Sequence, residues 1–344
     1  MSIIHMDGFD EYASAADITQ EYTYGNEPNF STSAGRYGGG CVQFNTNNNQ
    51  YCMKALGATY TELWTGCAFY QNTTGNNSGI ALFGLNSSAG TEMELAINGA
   101  TGQLLAYCGP NSTLLGSTSN GVIPYQVWCW IEFHVVFSGS VGVVDVYVNG
   151  TQVMHLTGQN TIHNSGQTGV NSVSLGCAVS QYSVSGYCDD WYILDPNTSP
   201  NTARLGDSRI KTLVPASDAG PNNGTPSSGS THYAMVDEAQ WSSTNSLTIT
   251  NTSGQEELFG MGSLGATPSS VWAVRVLAVA EKTDAGSCNL ETVMSSGGNV
   301  ATGPSTPLLT SYSHVTGIFQ TDPNTSAAWT YGGVNAMDCG VKIP

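Results

Sequence analysis

The chain has 344 residues, a formal net charge of −17, and 8 Lys and Arg against 25 Asp and Glu. Nucleic acids and anionic membranes are both held by clustered cations, so this balance excludes them as partners. Charged residues make up 10% of the chain and apolar ones 40%, which predicts a packed core under a coat of Ser, Thr, Asn, Gln and Gly.

No Lys or Arg occurs between Lys54 and Arg204. A neutral polar coat suits a protein packed in a large assembly or displayed outside cells. The opening MSIIHMDGFD has no basic start and no long apolar run, so a secretory leader is not expected. No apolar stretch of about 18 residues predicts a membrane span. Synthesis in a cytoplasm follows as the expectation. The nine cysteines include no C-x-x-C pair. Cys67, Cys129 and Cys177 sit in apolar runs, where buried free thiols act as small hydrophobes. Disulfides formed after release from the cell are the alternative.

In chain order, short strands alternate with turn residues. GIALFGL, EMELAIN and QLLAYCG come first. In IEFHVVF, Ile131, Phe133, Val135 and Phe137 share one face, opposite Glu132, His134 and Val136. VVDVYV sets Val144, Val146 and Val148 against Asp145 and Tyr147. Asn149-Gly150 predicts a type I′ hairpin, whose two central residues need positive φ, with TQVMHL as the return strand. SVSLGCAV and DDWYIL follow. This cadence predicts an all-β sandwich or jelly roll. Composition changes at DPNTSPNTARLGD, so the expected units are residues 1–200 and a smaller β-rich unit over 201–344.

In the second unit, PASDAGPNNGTPSSGST is expected to be an exposed loop. VWAVRVLAVAEKT reads as a strand apolar on both faces, with Trp272, Val274 and Val276 as candidate subunit-interface residues. A short helix over 332–338 and a last strand, GVKI, are expected at the end.

The chemistry is sparse. A glycoside hydrolase needs two carboxylates facing across a cleft, and Glu92 and Glu94 are the candidate pair. They lack the E-x-D-x-x-E arrangement, and alternating Glu on a solvent face is the simpler reading. No G-x-S-x-G elbow occurs, and no His/Cys cluster has metal-ligand spacing. No catalytic residue is therefore assigned, and a non-enzyme is expected. Asp7, Asp10, Asp189 and Asp190 would come together if the first and last strands of the sandwich pair. They would then be candidate Ca2+ ligands or caps on turn N–H groups. Sugar binding needs exposed aromatic platforms with amide neighbours. Of Tyr107, Tyr125, Trp128, Tyr182, Tyr187 and Trp191, the candidates are Tyr182, Tyr187 and Trp191.

Trp130, IEFHVVF, VYVNG and the closing Asp189-Asp190-Trp191-Tyr192-Ile193-Leu194-Asp195, with the opening Asp7-Gly8-Phe9-Asp10, resemble the concanavalin A-like, laminin-G-type jelly roll. LGDSRIKTLVPASDAG, THYAMVDE, AEKTDAG and DPNTSAAWTYGGVNAMDCGVKI resemble the C-terminal part of tailed-bacteriophage virion proteins, in which such a module precedes a small β domain. The resemblance implies a structural virion component of the head surface, collar, fibre or tail. It would be assembled in the host cytoplasm, lie on the particle exterior and contact capsid, collar or tail subunits. A homo-oligomer, with a trimer favoured, is implied by analogy. The alternative is a lectin-like receptor-binding module for host polysaccharide.

Overall fold

A computed structural model describes residues 2–24, 28–44, 50–74, 79–176 and 185–344. The chain divides into two compact units, Met1–Ile210 and Lys211–Pro344. Residues 201–210, grouped above with the second unit, pack on the first. Nearly all regular structure is β, as the alternation predicts. Among the described residues no helix is long and apolar enough to cross a membrane.

The strands of the first unit are β1 Ile3–Asp7, β2 Thr23–Tyr24, β3 Asn29–Ser31, β4 Cys41–Phe44 and β5 Tyr51–Tyr60. They continue as β6 Glu62–Gln71, β7 Gly79–Ser87, β8 Gly90–Asn98, β9 Gln103–Cys108 and β10 Thr113–Ser117. The last five are β11 Trp128–Val136, β12 Gly142–Val148, β13 Thr151–Gln159, β14 Val170–Gly176 and β15 Gly186–Leu194. They form an eight-stranded sheet ordered β13-β12-β11-β6-β15-β4-β3, with β1 also on β15, and a seven-stranded sheet ordered β10-β9-β8-β7-β14-β5-β2. One core joins the two sheets. Phe133 of β11 and Phe83 of β7 stack across it at 6.4 Å.

The period-two expectation for β11 and β12 holds. Ile131, Phe133, Val135, Phe137, Val144, Val146 and Val148 are all in that core. Asn149 and Gly150 both have positive φ, 47° and 81°, as a type I′ turn demands. The Asn149 side chain also accepts from the Trp130 backbone N–H at 2.8 Å, tying the hairpin back to β11.

The outward face of the eight-stranded sheet is largely covered. Trp130 and Glu132 are fully buried there, and Trp64 and His134 nearly so. Trp130 stacks on Tyr192, and the Glu132 carboxylate accepts from the Tyr192 hydroxyl, the Gly206 N–H and the Arg204 guanidinium. Gly66 makes this possible, because a Cβ there would lie 2.6 Å from the Tyr192 ring. The Arg36 N–H donates to Asp189, and its guanidinium makes a two-point contact with Asp207. Segments 32–40 and 201–210 thus lie over this face.

The second unit has β16 Pro215–Asn222, β17 Thr225–Pro226, β18 Leu247–Thr248, β19 Glu256–Met261 and β20 Val274–Ala280. It continues with β21 Asn289–Ser296, β22 Asn299–Thr302, β23 Thr306–Pro307, β24 Ser313–Phe319 and β25 Asp338–Lys342. A short helix, Tyr331–Asn335, precedes the last strand, as expected. A six-stranded sheet ordered β16-β19-β25-β21-β22, with β23 on β21, packs against the β20–β24 ribbon. Their shared core holds Val276, Met294, Phe319, Trp329 and Cys339.

Two expectations are corrected here. The first half of the stretch expected to be a loop, 215–222, is a strand. It lies at the sheet edge, where prolines are tolerated because the outer N–H groups need no ladder partner. Val276 of the expected interface belongs instead to the unit's own core, and Val274 packs against it. Of the three interface candidates Trp272 is the most exposed, at 40%.

Candidate functional site

Alternation decides which side chains of the eight-stranded sheet face out. Val42, Phe44, Phe69, Cys129 and Cys188 point into the core. Their neighbours Gln43, Tyr70, Trp128 and Tyr187 therefore point away from it. Register then lines these up. Trp128 pairs with Tyr70, Tyr70 with Tyr187, Tyr187 with Gln43, and Gln43 with Asn29. Five adjacent strands thus present one straight row of three aromatic rings followed by two amides. Four strand spacings give it a length of roughly 19 Å.

The rings touch one another. The Tyr70 and Trp128 centroids are 5.5 Å apart and those of Tyr70 and Tyr187 are 5.8 Å apart, tilted in both cases. All three are half-buried, Gln43 likewise, and Asn29 is exposed. The next row on the same face, Trp130–Ala68–Asp189, is wholly buried. The cover over the sheet therefore stops one row short of these rings. Fixed, half-exposed aromatic faces beside amide donors and acceptors suit a neutral ligand carrying both apolar C–H faces and hydroxyls.

The expected sugar-binding residues fare differently. Tyr187 is the centre of the row. Tyr182 lies outside the described residues. Trp191 is corrected: it is fully buried in the core, with its ring N–H donating to Thr65. In an unbroken strand Tyr187 and Trp191 would share a face. An extra residue at Asp190, which has φ 54°, reverses the alternation and turns Trp191 inward. Tyr70, Gln43 and Asn29 were not singled out from sequence, because only the pairing register brings them together.

The expected pairing of first and last strands is present, with β1 antiparallel to β15. Asp7, Asp189 and Asp190 are buried. Asp7 accepts from the Phe9 N–H and the Tyr12 and Tyr22 hydroxyls, and Asp10 from the Gly40 N–H. Asp189 accepts from the Arg36 and Asp190 N–H groups, and Asp190 from the Ile210 N–H. These are the capping contacts offered above as the alternative to Ca2+. Among the described residues no group of three or more His, Cys, Asp or Glu is placed to hold a metal. Burial pushes the Asp189 carboxyl up to about 7; the two N–H donors pull it down, and the charges of Asp10 and Asp7 push it up.

The solvent-face expectation for Glu92 and Glu94 is corrected: both are buried on β8. The Glu92 carboxylate is filled by donors: the Ser87 hydroxyl, the Asn164 amide and the backbone N–H groups of His163 and Asn164. It anchors the segment around residues 163–164. The eight described cysteines are free thiols, seven of them buried and Cys288 half-buried. Cys177 lies outside the described residues.

No family model matches this chain, and no curated protein matches it. Solved structures are similar to the jelly roll. A cellulose-induced protein, Cip1, aligns with a TM-score of 0.42 and 14% identity over 59% of this chain and 100% of its own. The catalytic domain of a glycoside hydrolase family 131 protein from Coprinopsis cinerea aligns at 0.40 and 14% over 60% and 99%. A carbohydrate esterase from the Shiga toxin-encoding bacteriophage phi24B aligns at 0.38 and 13% over 56% and 99%. These likenesses assign no activity to this chain.

Proposed function

We propose that this chain is an exterior virion component whose first unit holds a neutral glycan along the row Trp128–Tyr70–Tyr187–Gln43–Asn29. The observation that carries the sugar reading is the row itself: three ring faces in register with two amides, on a rigid sheet, where the cover stops. Anionic glycans are disfavoured by the net charge of −17, and the Arg36 and Arg204 guanidinium groups over this face are already paired with Asp207 and Glu132. Binding without turnover is favoured because the Glu92 carboxylate is already occupied by four donors.

A glycan array read with the whole chain tests this. Trp128→Ala and Tyr70→Ala, each at a half-exposed position, should lower affinity by roughly tenfold, about 1.4 kcal/mol, with the fold intact by circular dichroism. Unchanged binding in both variants would remove the row from consideration.

The virion placement is supported by the charge-poor coat and by the C-terminal sequence resemblance. It proposes capsid, collar or tail subunits as partners and a homo-oligomer, with a trimer favoured. Antibody labelling of purified particles tests the placement, and light scattering of the purified chain tests the oligomer. A monomer absent from particles would sink this part of the proposal.

A further inference from the structure

The other sheet of the sandwich carries a groove that the row does not involve. Opposite Asn171, the β5 ladder jumps from the pair Val170–Tyr60 to the pair Ser172–Ala55, so residues 56–59 loop out of the sheet. Gly57 in this bulge has φ 74°. The bulge forms one wall. The turn between β7 and β8, Ser87–Gly90, forms the other.

The floor between them is low because its side chains are small. β14 contributes Ser172 and Ser174, and β7 contributes Asn86. Gly84, opposite Ser174, leaves room for that hydroxyl, since a Cβ there would lie 2.5 Å from it. The groove is open to solvent and has a volume of about 880 Å³. Its polar groups are held in place. The Asn86 amide donates to the Gly84 carbonyl and the Ser174 hydroxyl, at 3.2 and 3.4 Å, and accepts from the Thr91 hydroxyl at 2.8 Å.

We infer that this groove is a second site for a neutral saccharide, on the opposite sheet from the aromatic row and independent of it. None of the fifteen lining residues is charged, so an ionic ligand would be desolvated without a partner. A wholly apolar ligand suits it less well, because nine of the described lining residues carry a hydroxyl or amide. An added peptide strand has no ladder to join, because β7 and β14 are each hydrogen-bonded on both sides. A polyhydroxylated neutral ring can share hydrogen bonds with the hydroxyls and amides of the lining, and Tyr51 at the groove supplies an aromatic face.

Titration calorimetry with a panel of neutral gluco-, manno- and galacto-oligosaccharides tests this on the full chain. Six proteins are compared: wild type, Trp128→Ala, the groove-filling variants Ala58→Trp and Ala89→Trp, and each of these two combined with Trp128→Ala. Ala58→Trp and Ala89→Trp fill the groove from opposite walls at exposed positions, so neither should disturb folding. The expected result is two sites per chain in wild type, the row site weakened about tenfold in Trp128→Ala with the groove site unchanged, the groove site alone lost in the groove-filling variants, and only the weakened row site left in the double variants. Residual binding in Trp128→Ala that neither Ala58→Trp nor Ala89→Trp reduces would overturn the groove and leave the row standing. Loss of one site in the groove variants with no change in Trp128→Ala would keep the groove and overturn the row. Absence of binding across the whole panel would overturn both.

Discussion

At the scale of residues, Asp189 links the covered face to pH. Its carboxyl titrates near 7 when folded, above the value of about 3.9 for an unfolded aspartate. The folded chain therefore binds more protons between those values. Its contribution to stability is fully present below about pH 4 and is lost as pH rises through about 7. The melting temperature should accordingly fall between about pH 4 and about pH 7, with the neighbouring Asp190, raised by burial and by the Asp189 charge, acting in the same direction. Asp189→Asn should flatten part of that fall; an equal slope in both proteins would exclude Asp189 as a cause. The thiols give a second residue-scale prediction. Burial pushes Cys129 and Cys339 up to about 12 and Cys188 well above its ordinary value, so little thiolate forms at neutral pH. Peptide mapping after iodoacetamide should find Cys288 alkylated in the native protein well before Cys129, Cys188 or Cys339. Equal labelling before unfolding would show that the core opens readily.

At the scale of elements, the β12–β13 hairpin is held by its turn as much as by its ladder. Asn149→Ala removes the bond to the Trp130 N–H and places an alanine at φ 47°. The expected loss is about 2 kcal/mol, read as a fall of several degrees in thermal melting. A change within error would mean that the ladder alone fixes the hairpin. This hairpin was the most legible element in the sequence, because alternation and an Asn-Gly pair are local signals. The glycan row was only half legible. Trp128 and Tyr187 stand out as aromatics near strand ends, but nothing local says that both pair with Tyr70. Trp191 was misplaced for a related reason: one bulged residue reverses every later side chain, and Asp190 carries no sequence mark of being that residue. The edge strand at 215–222 was hidden by its Gly and Pro, which usually signal loops.

At the scale of the whole molecule, the charge distribution bears on the proposed glycan row. With a net charge of −17 and no cation from 55 to 203, attraction to an anionic sugar has no source in that stretch. Affinity for a neutral glycan should barely change between low salt and about 1 M, where the Debye length falls to roughly 3 Å. A steep loss of affinity with added salt would point to an ionic ligand and away from the proposed row. The same composition explains why trypsin is a poor probe of this fold, since its cleavage sites lie outside that block whether or not it is folded.

The alternation that places Gln43, Tyr70, Trp128 and Tyr187 outward places Val42, Phe69, Cys129 and Cys188 inward on the same strands. Each recognition residue therefore has a structural residue as its immediate chain neighbour. Recognition and folding are encoded in interleaved letters rather than in separate segments. A lineage of such chains can rewrite one set of letters while leaving the other set unchanged.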